Sequence, residues 1–181
     1  MPLPSNVIIP DDKPYYEWAH GTLRQKVSPS LEHSRIQMML GALLMPWARD
    51  RGVLASEWDM DVTPASGDTR RYLPDVGFTS FAALKAAGQL DAAIPEISPD
   101  LGIEILSPHD DRKYLADKIA AYLSAGTRAV IVIDPATRTF GVHRSAGTEV
   151  LFEGQAFTDE AFPDLSLDVR DVFGILDRKP E

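Results

Sequence analysis

Apolar positions recur every three or four residues between residues 28 and 52, which is the period of a helix with one buried face. Ser28 and Pro29 are suited to the N-cap and the first helical position, and Gly52 is suited to stop the helix. The pattern therefore predicts one long amphipathic helix, whose buried face would consist of Ile36, Met39, Leu40, Leu43, Leu44 and Trp47.

The pattern changes to strand, helix and strand between residues 100 and 133. Asp100–Leu106 and Ala129–Ile133 are apolar runs of strand length, and a helical pattern that begins at Asp110 or Asp111 and ends near Ala125 separates them. Two strands joined by a helix normally lie parallel in one sheet with a right-handed crossover. The segment therefore predicts a parallel pair, with its second strand in a central, buried position.

The remaining patterns predict shorter elements around this unit. They are a turn of helix at Tyr15–Ala19, strands at Thr22–Val27, Val53–Val62, Tyr72–Ser80, Thr139–Arg144, Glu149–Phe152 and Leu165–Val169, and helices at Phe81–Ala87 and Val172–Leu176. Residues 1–14 carry four prolines and predict an extended lead-in, residues 15–176 a single domain, and residues 177–181 a C-terminal tail. The order of elements predicts an α/β fold with an α-β-β-β-α-β core and additional β-strands.

Composition and charge narrow the classes of function. The chain has 181 residues, an ordinary apolar share of 44%, and no cysteine, so disulfides and thiolate metal sites are excluded. No apolar run reaches the ~18 residues of a membrane span, and the N-terminus lacks the form of a signal peptide, so we expect a cytoplasmic protein. The net charge of −9 opposes general nucleic-acid binding, so any action on DNA needs metal ions or a local basic patch.

Two carboxylates stand inside apolar strand patterns. Glu104 lies between Ile103 and Ile105, and Asp75 occupies a similar place in YLPDVGFTS. Because strand side chains alternate between faces, pairing of these two strands would bring the carboxylates together, and Mg²⁺ or Mn²⁺ would relieve their repulsion. The alternative is ordinary structure, with Asp75 in a turn and Glu104 solvated on an edge strand.

A lysine and a histidine extend this candidate site. Lys118 lies at the edge of the buried face of the helix after Glu104, from which it either reaches back over the strand ends or extends into solvent. His33 falls within the apolar arc of the first long helix and is better explained as a core histidine than as a site residue. Ser107 is suited to cap the turn before the second helix.

Several of these motifs together resemble a known family. The segments YEWAHGTLRQKVSPSLEHSRIQMMLGALL, YLPDV, LGIEILSPHDDRKYLADKIAAYLSAGTRAVIVIDPATRTFGVHR and FPDLSLDV resemble the Uma-type "putative restriction endonuclease" family, a branch of the PD-(D/E)xK nuclease superfamily. The resemblance covers about residues 15–173. It implies a restriction-endonuclease-like mixed β-sheet around the core described above.

The resemblance also implies roles for individual residues. Asp75 and Glu104 would be metal ligands, with the backbone carbonyl of Ile105 as a third. The superfamily carries a lysine two residues after the glutamate, but this chain has Leu106 at that position. Members of this branch supply the lysine from the following helix. The implied catalytic set is therefore Asp75, Glu104 and Lys118, with Lys113 as the substitute lysine and Glu17, His33 and Ser107 as accessory residues.

These roles imply a metal-dependent endodeoxyribonuclease, in which water activated by Mg²⁺ or Mn²⁺ attacks a phosphodiester in line. DNA is the expected substrate, and Arg70, Arg71, Arg112 and Lys113 are candidates to meet its backbone. A homodimer is expected because cleavage of both strands needs two sites. Two alternatives stay open: a non-catalytic binding or regulatory module, and a metal-dependent hydrolase of another substrate.

Overall fold

The computed structural model describes residues 8–177, so the outermost parts of the expected lead-in and tail lie outside the described residues. The strands are β1 (Tyr16–Ala19), β2 (Thr22–Gln25), β3 (Gly52–Ala55), β4 (Met60–Val62), β5 (Arg70–Tyr72), β6 (Val76–Ser80), β7 (Leu101–Ile105), β8 (Ala129–Asp134), β9 (Thr139–Arg144), β10 (Gly147–Leu151), β11 (Ala156–Phe157) and β12 (Leu167–Asp168). The helices are α1 (Leu31–Ala48), α2 (Phe81–Ala86), α3 (Arg112–Ser124) and α4 (Val169–Asp177).

A six-stranded sheet in the order β10-β9-β8-β7-β6-β3 forms the centre of the fold. Strands β7 and β8 are parallel neighbours joined through α3, and the other neighbours in this sheet are antiparallel. The mixed α/β class and the expected core are confirmed, since α1, β3, β6, β7, α3 and β8 follow the α-β-β-β-α-β order. A second sheet has the order β2-β1-β5-β4, and β11 pairs with β12.

Helix α1 packs on one face of the central sheet, although its bounds differ from the prediction. Its core side chains Ile36, Leu40 and Leu44 join the cluster that contains Ile103 and Ile105. The helix ends at Ala48, and the expected stop, Gly52, instead opens β3. A Cβ atom on Gly52 would lie 2.2 Å from the Thr79 carbonyl oxygen, so this close approach of two strands requires glycine.

The N-cap of α1 is Ser30 rather than Ser28. The Ser30 hydroxyl accepts a hydrogen bond from the His33 N–H at 3.1 Å, and Pro29 therefore precedes the helix instead of opening it. This placement directs the first turn of α1, with His33, toward the start of β6.

Helix α3 covers the opposite face of the central sheet, as its apolar face predicts. Ile119 and Tyr122 pack with Val130 and Val132 of β8, and the side chains of the second sheet complete this cluster. Asp111 is the N-cap of α3, and its carboxylate accepts hydrogen bonds from the N–H groups of residues 113 and 114. Glu104 points toward this α3 side, while its neighbours Ile103 and Ile105 point toward α1.

Three of the shorter predictions were wrong. Tyr15–Ala19 contains β1 instead of a helical turn, and His20–Gly21 joins it to β2 with positive φ at both residues, as a two-residue hairpin loop requires. Val53–Val62 holds two strands, β3 and β4, that belong to different sheets. Tyr72–Ser80 is likewise divided between the two sheets, because the chain leaves β5 after Tyr72 and enters β6 at Val76.

No helix between residues 8 and 177 is long and apolar enough to cross a membrane.

Candidate active site

The break between β5 and β6 organises the site. Pro74 has no N–H, and the chain around it leaves both sheet ladders, so the polar groups of Leu73 need other partners. The Leu73 N–H donates to Glu17 Oε1 at 3.0 Å. Its carbonyl accepts from Lys26 Nζ at 3.0 Å and from Lys118 Nζ at 3.1 Å. Buried charged side chains thus gather around one strand break.

Asp75 follows this break directly and is held on all sides. Its Oδ2 accepts from the Ile105 N–H at 2.7 Å and lies 3.2 Å from His33 Nε2, while its Oδ1 accepts from Lys26 Nζ at 2.8 Å. Gln37 donates to its backbone carbonyl at 2.8 Å. Burial opposes ionisation, but Lys26 and His33 outweigh burial and hold the pKa of Asp75 far below its usual range.

Glu104 enters the same pocket from β7. Lys118 Nζ lies 2.9 Å from each of its carboxylate oxygens, but only Oε2 accepts a hydrogen bond. Its Oε1 is buried without a hydrogen-bond donor. Burial raises the pKa of Glu104 to about 8, Lys118 opposes this rise, and the nearby negative charge of Asp75 adds to it. Glu104 Oε1 is therefore paired with the charge of Lys118 but accepts no hydrogen bond.

Lys118 is buried among acceptors instead of extending into solvent. Besides the Leu73 carbonyl, its ammonium donates to Glu17 Oε1 at 2.6 Å and to Glu104 Oε2 at 2.9 Å. An ammonium has three N–H donors, so all three are used. Burial favours the neutral amine, but the charges of Glu104 and Glu17 outweigh it and raise the pKa of Lys118 well above its usual value.

Glu17 comes from the β1–β2 hairpin and is fully hydrogen-bonded. Its Oε1 accepts from Lys118 and Leu73, and its Oε2 accepts from the Tyr114 hydroxyl at 2.8 Å. Burial opposes ionisation, but the ammoniums of Lys118 and Lys26 keep the pKa of Glu17 below its usual value. Glu17 and Glu104 share the ammonium of Lys118. Glu17 accepts more hydrogen bonds than Glu104, and it therefore stays ionised more readily.

These side chains line a pocket of about 90 Å³. Its lining includes exposed residues from the end of β2 and the start of α3, which places the mouth between these two elements. Three buried carboxylates, from Glu17, Asp75 and Glu104, face two ammoniums in it. The lining consists of Glu17, Arg24, Gln25, Lys26, Val27, Pro29, His33, Glu57, Asp75, Glu104, Ile105, Leu106, Ser107, Asp110, Asp111, Tyr114, Leu115 and Lys118.

The pocket contains most residues that the sequence nominated. Asp75, Glu104, Lys118, Ile105, Glu17, His33 and Ser107 all line it, and their catalytic and metal-binding roles stay predictions. His33, expected to be a core histidine, is buried but contacts Asp75 in the pocket. Lys113 is exposed and does not line the pocket. Ser107 does not cap with its hydroxyl: its N–H donates to Asp110 Oδ2 at 2.7 Å.

The arginines that the sequence placed at the substrate are engaged elsewhere. Arg70 is buried and donates to Asp117 at 2.9 Å. Arg71 forms two hydrogen bonds with Asp61, at 2.7 and 2.8 Å. Neither side chain lines the pocket, and Arg112 does not line it either.

The pocket residues that were not predicted from the sequence include Lys26, Glu57 and Tyr114. Lys26 follows β2 directly, and its approach to Asp75 depends on how the hairpin docks. Glu57 has a positive φ of 49° and donates its N–H to the Pro74 carbonyl at 3.0 Å. The closest sequence signal was the His20–Gly21 pair, because recognition of this hairpin would have placed Glu17 and Lys26 on neighbouring strands.

The donor set fits a hard divalent cation that keeps other ligands. Within residues 8–177 no group of three or more histidine, cysteine, aspartate or glutamate side chains is arranged to hold a metal ion. Mg²⁺, however, usually binds proteins through one or two carboxylates and retains several waters. Asp75 and Glu104 supply two carboxylates, and Glu104 Oε1 is a buried oxygen without a donor.

Comparisons with known proteins show which family and which solved structures this chain is similar to. A family model described as "Uma2: Putative restriction endonuclease" matches residues 5–170. Five chains of solved structures match. One is the crystal structure of "a putative nuclease belonging to DUF820" from Anabaena variabilis ATCC 29413, which is 27% identical and superposes with a TM-score of 0.77. That match covers 93% of this chain and 94% of the other. No curated protein matches.

Proposed function

The chain belongs to the Uma2 family, described as "putative restriction endonuclease", and we propose that it is a metal-dependent endodeoxyribonuclease that hydrolyses phosphodiester bonds. One observation carries the proposal: Asp75 and Glu104, at the ends of neighbouring strands, line one pocket, in which Glu104 Oε1 is buried and accepts no hydrogen bond. The relative from Anabaena variabilis, described as "a putative nuclease", supports the same class of reaction.

Asp75, Glu104 and the backbone carbonyl of Ile105 would hold Mg²⁺ or Mn²⁺. When bound, such an ion polarises the phosphoryl oxygen and lowers the pKa of a water molecule that attacks in line. The Ile105 N–H fixes the orientation of the Asp75 carboxylate, and Lys118 fixes that of Glu104. The chain thereby prepares both acidic side chains before any ligand arrives.

Lys118 acts in this proposal as a positioning residue rather than as the cation that contacts the substrate. Its three N–H donors already bind Glu17, Glu104 and the Leu73 carbonyl. No donor remains for a water molecule or a phosphate. Lys118 thus keeps Glu104 in place, and Glu17 with Tyr114 keeps Lys118 in place.

The proposal is tested by metal binding and cleavage measured on the same protein. Calorimetric titration with MnCl₂ should detect one or more bound ions, and incubation of supercoiled and linear DNA with Mn²⁺ should give cleavage that EDTA stops. Glu104→Ala should abolish both. Glu160→Ala, which removes an exposed carboxylate outside the pocket, should change neither.

Stoichiometric Mn²⁺ binding by Glu104→Ala would contradict the metal site. A folded parent protein that binds no Mn²⁺ would support a non-catalytic module instead. Metal binding without DNA cleavage would point to hydrolysis of another substrate. The fold does not decide among these outcomes by itself.

The outward face of α1 supports a homodimer. Leu31, Met38 and Met45 recur at intervals of seven residues and are 78%, 77% and 48% exposed. Surface helices normally present polar residues to solvent, so an apolar stripe with this period fits a second helix. Antiparallel pairing of two copies about Met38 would bring the Leu31 of each copy against the Met45 of the other.

Charge at the two ends of α1 favours a second copy of the chain as the partner. Glu32 lies in the first turn of the helix, and Arg49 is its C-cap. In an antiparallel pair, each Glu32 faces the Arg49 end of the other copy. Sedimentation velocity should therefore detect a dimer that Met38→Lys converts to a monomer, while Phe152→Lys, at an exposed apolar residue elsewhere, leaves it intact. A monomeric parent protein would contradict the homodimer.

A further inference from the structure

Lys26 and Lys118 share the Leu73 carbonyl but differ in every other bond. We propose that Lys26 is an exchangeable cation: it occupies the position of the divalent ion on Asp75 in the metal-free protein, and it leaves when the ion binds. This inference rests on the proposed function, since it concerns the metal site of the same pocket.

The donors of the two ammoniums separate a fixed lysine from an exchangeable one. Lys118 uses all three N–H donors, and its side chain is 3% exposed. Lys26 uses two, for Asp75 Oδ1 and the Leu73 carbonyl, and its side chain is 14% exposed. The next acceptor, Glu57 Oε1, is 3.8 Å from Lys26 Nζ, beyond hydrogen-bonding distance. Lys26 thus has fewer bonds to lose.

The acceptors on Asp75 show where the conflict with a metal ion arises. Each carboxylate oxygen offers about two lone pairs. Oδ2 already binds the Ile105 N–H and His33 Nε2. The ion must therefore use Oδ1, which Lys26 holds at 2.8 Å. Two cations on one buried oxygen repel each other strongly.

The charge balance of the pocket decides which partner leaves. When Glu104 is ionised as a ligand, a divalent ion and both ammoniums place four positive charges against the three charges of Glu17, Asp75 and Glu104. Glu57, 3.8 Å from Lys26, is 28% exposed, so solvent screens its charge. Departure of one ammonium restores neutrality, and an unpaired buried charge is costly. Departure of Lys118 would leave the carboxylates of Glu17 and Glu104 to repel each other without a shared ammonium. Lys26 is therefore the cation that leaves.

Lys26 also has a route out of the pocket. It directly follows the last residue of β2, and its neighbour Val27 is 47% exposed at the pocket mouth. A long, flexible stem allows the ammonium to turn from Asp75 toward this mouth without unfolding the hairpin. There it would face an approaching phosphodiester with all three donors free. The released lysine thereby supplies the substrate-facing cation that Lys118 cannot provide.

A titration with MnCl₂ alone tests the exchange without any nuclease assay. Lys26→Met removes the competing ammonium and keeps the length of the stem, so it should bind Mn²⁺ about tenfold more tightly, or better, than the parent protein. Lys85→Met, at an exposed lysine of α2, is the matched control and should bind like the parent. Equal or weaker binding by Lys26→Met, with a parent protein that does bind Mn²⁺, would overturn the inference and leave the proposed function standing.

A second measurement uses only the parent protein and does not depend on how the variant folds. Acetylation of lysines by an amine-reactive ester, followed by peptide mass spectrometry, should modify Lys26 faster in the presence of Mn²⁺. Lys118 should stay protected in both conditions, and Lys85 should react equally in both. Slower acetylation of Lys26 with Mn²⁺ would overturn the inference. A parent protein that binds no Mn²⁺ at all would remove the proposed metal site, and the exchange with it.

Discussion

Glu104 and Glu17 show how two equal side chains around one ammonium acquire different proton affinities. Glu17 accepts hydrogen bonds at both oxygens, whereas Glu104 leaves Oε1 without a donor. Hydrogen bonds to a carboxylate favour its charged form, and burial without them disfavours it. Burial raises the pKa of Glu104 to about 8, and the charge of Asp75 adds to this rise. At Glu17 the ammoniums of Lys118 and Lys26, together with the hydrogen bonds, outweigh burial and keep the pKa below its usual value.

This shift makes stability depend on pH. Because folding raises the pKa of Glu104 from 4.5 to about 8, its contribution to stability is fully present below about pH 4.5 and is lost as the pH rises through about 8. Glu104→Gln cannot ionise, so it should not show this loss. Urea unfolding should give a free-energy difference in favour of the variant that grows between pH 5 and pH 9, on the order of 3 kcal/mol. Parallel pH profiles would contradict the assignment.

Lys118 is expected to matter for folding as well as for chemistry. Lys118→Met leaves Glu17 and Glu104 buried without their shared cation, which should lower the free energy of unfolding by about 3–5 kcal/mol at pH 7. Chemical denaturation measures this loss. Lys85→Met, the exposed control, should change stability by less than about 0.5 kcal/mol. If the two variants unfold alike, Lys118 does not hold the cluster together.

The first turn of α1 connects an element boundary to the site. Ser30→Ala removes the hydroxyl that accepts the His33 N–H, and it should lower the free energy of unfolding by about 1 kcal/mol. Ser28→Ala alters the serine that the sequence pattern favoured as the cap, and it should have almost no effect, because Ser28 lies exposed before the helix. Equal losses in the two variants would contradict the observed start of α1.

The elements differ in how far the sequence could predict them. The β7–α3–β8 unit followed from apolar runs, an aspartate cap at residue 110 or 111 and the crossover rule, all of which are local signals. The division of Val53–Val62 between two sheets had no such signal, because β3 and β4 differ only in their partners. Lys26 was missed for the same reason: its contact with Asp75 joins residues 49 positions apart and depends on hairpin docking.

The whole molecule carries a net charge of −9, which repels a polyanion. A divalent ion in the pocket and a released ammonium would make the pocket mouth attractive to a polyanion, against the repulsion from the rest of the molecule. Binding of a fluorescently labelled DNA duplex, followed by anisotropy at low ionic strength, should therefore be absent in EDTA and measurable with CaCl₂, which supplies a hard cation with oxygen affinity. Equal binding in both conditions would show that another surface attracts the DNA.

The salt bridge between Glu17 and Lys118 joins residues 101 positions apart, which affects the order of events during synthesis. A chain growing on the ribosome makes Glu17 and Lys26 long before β7 and α3 leave the exit tunnel. Until then the β1–β2 hairpin has no ammonium from α3 for Glu17 and no Tyr114 to complete its hydrogen bonds. The pocket therefore closes late in synthesis, after α3 has emerged, so a nascent chain shorter than this lacks the assembled pocket.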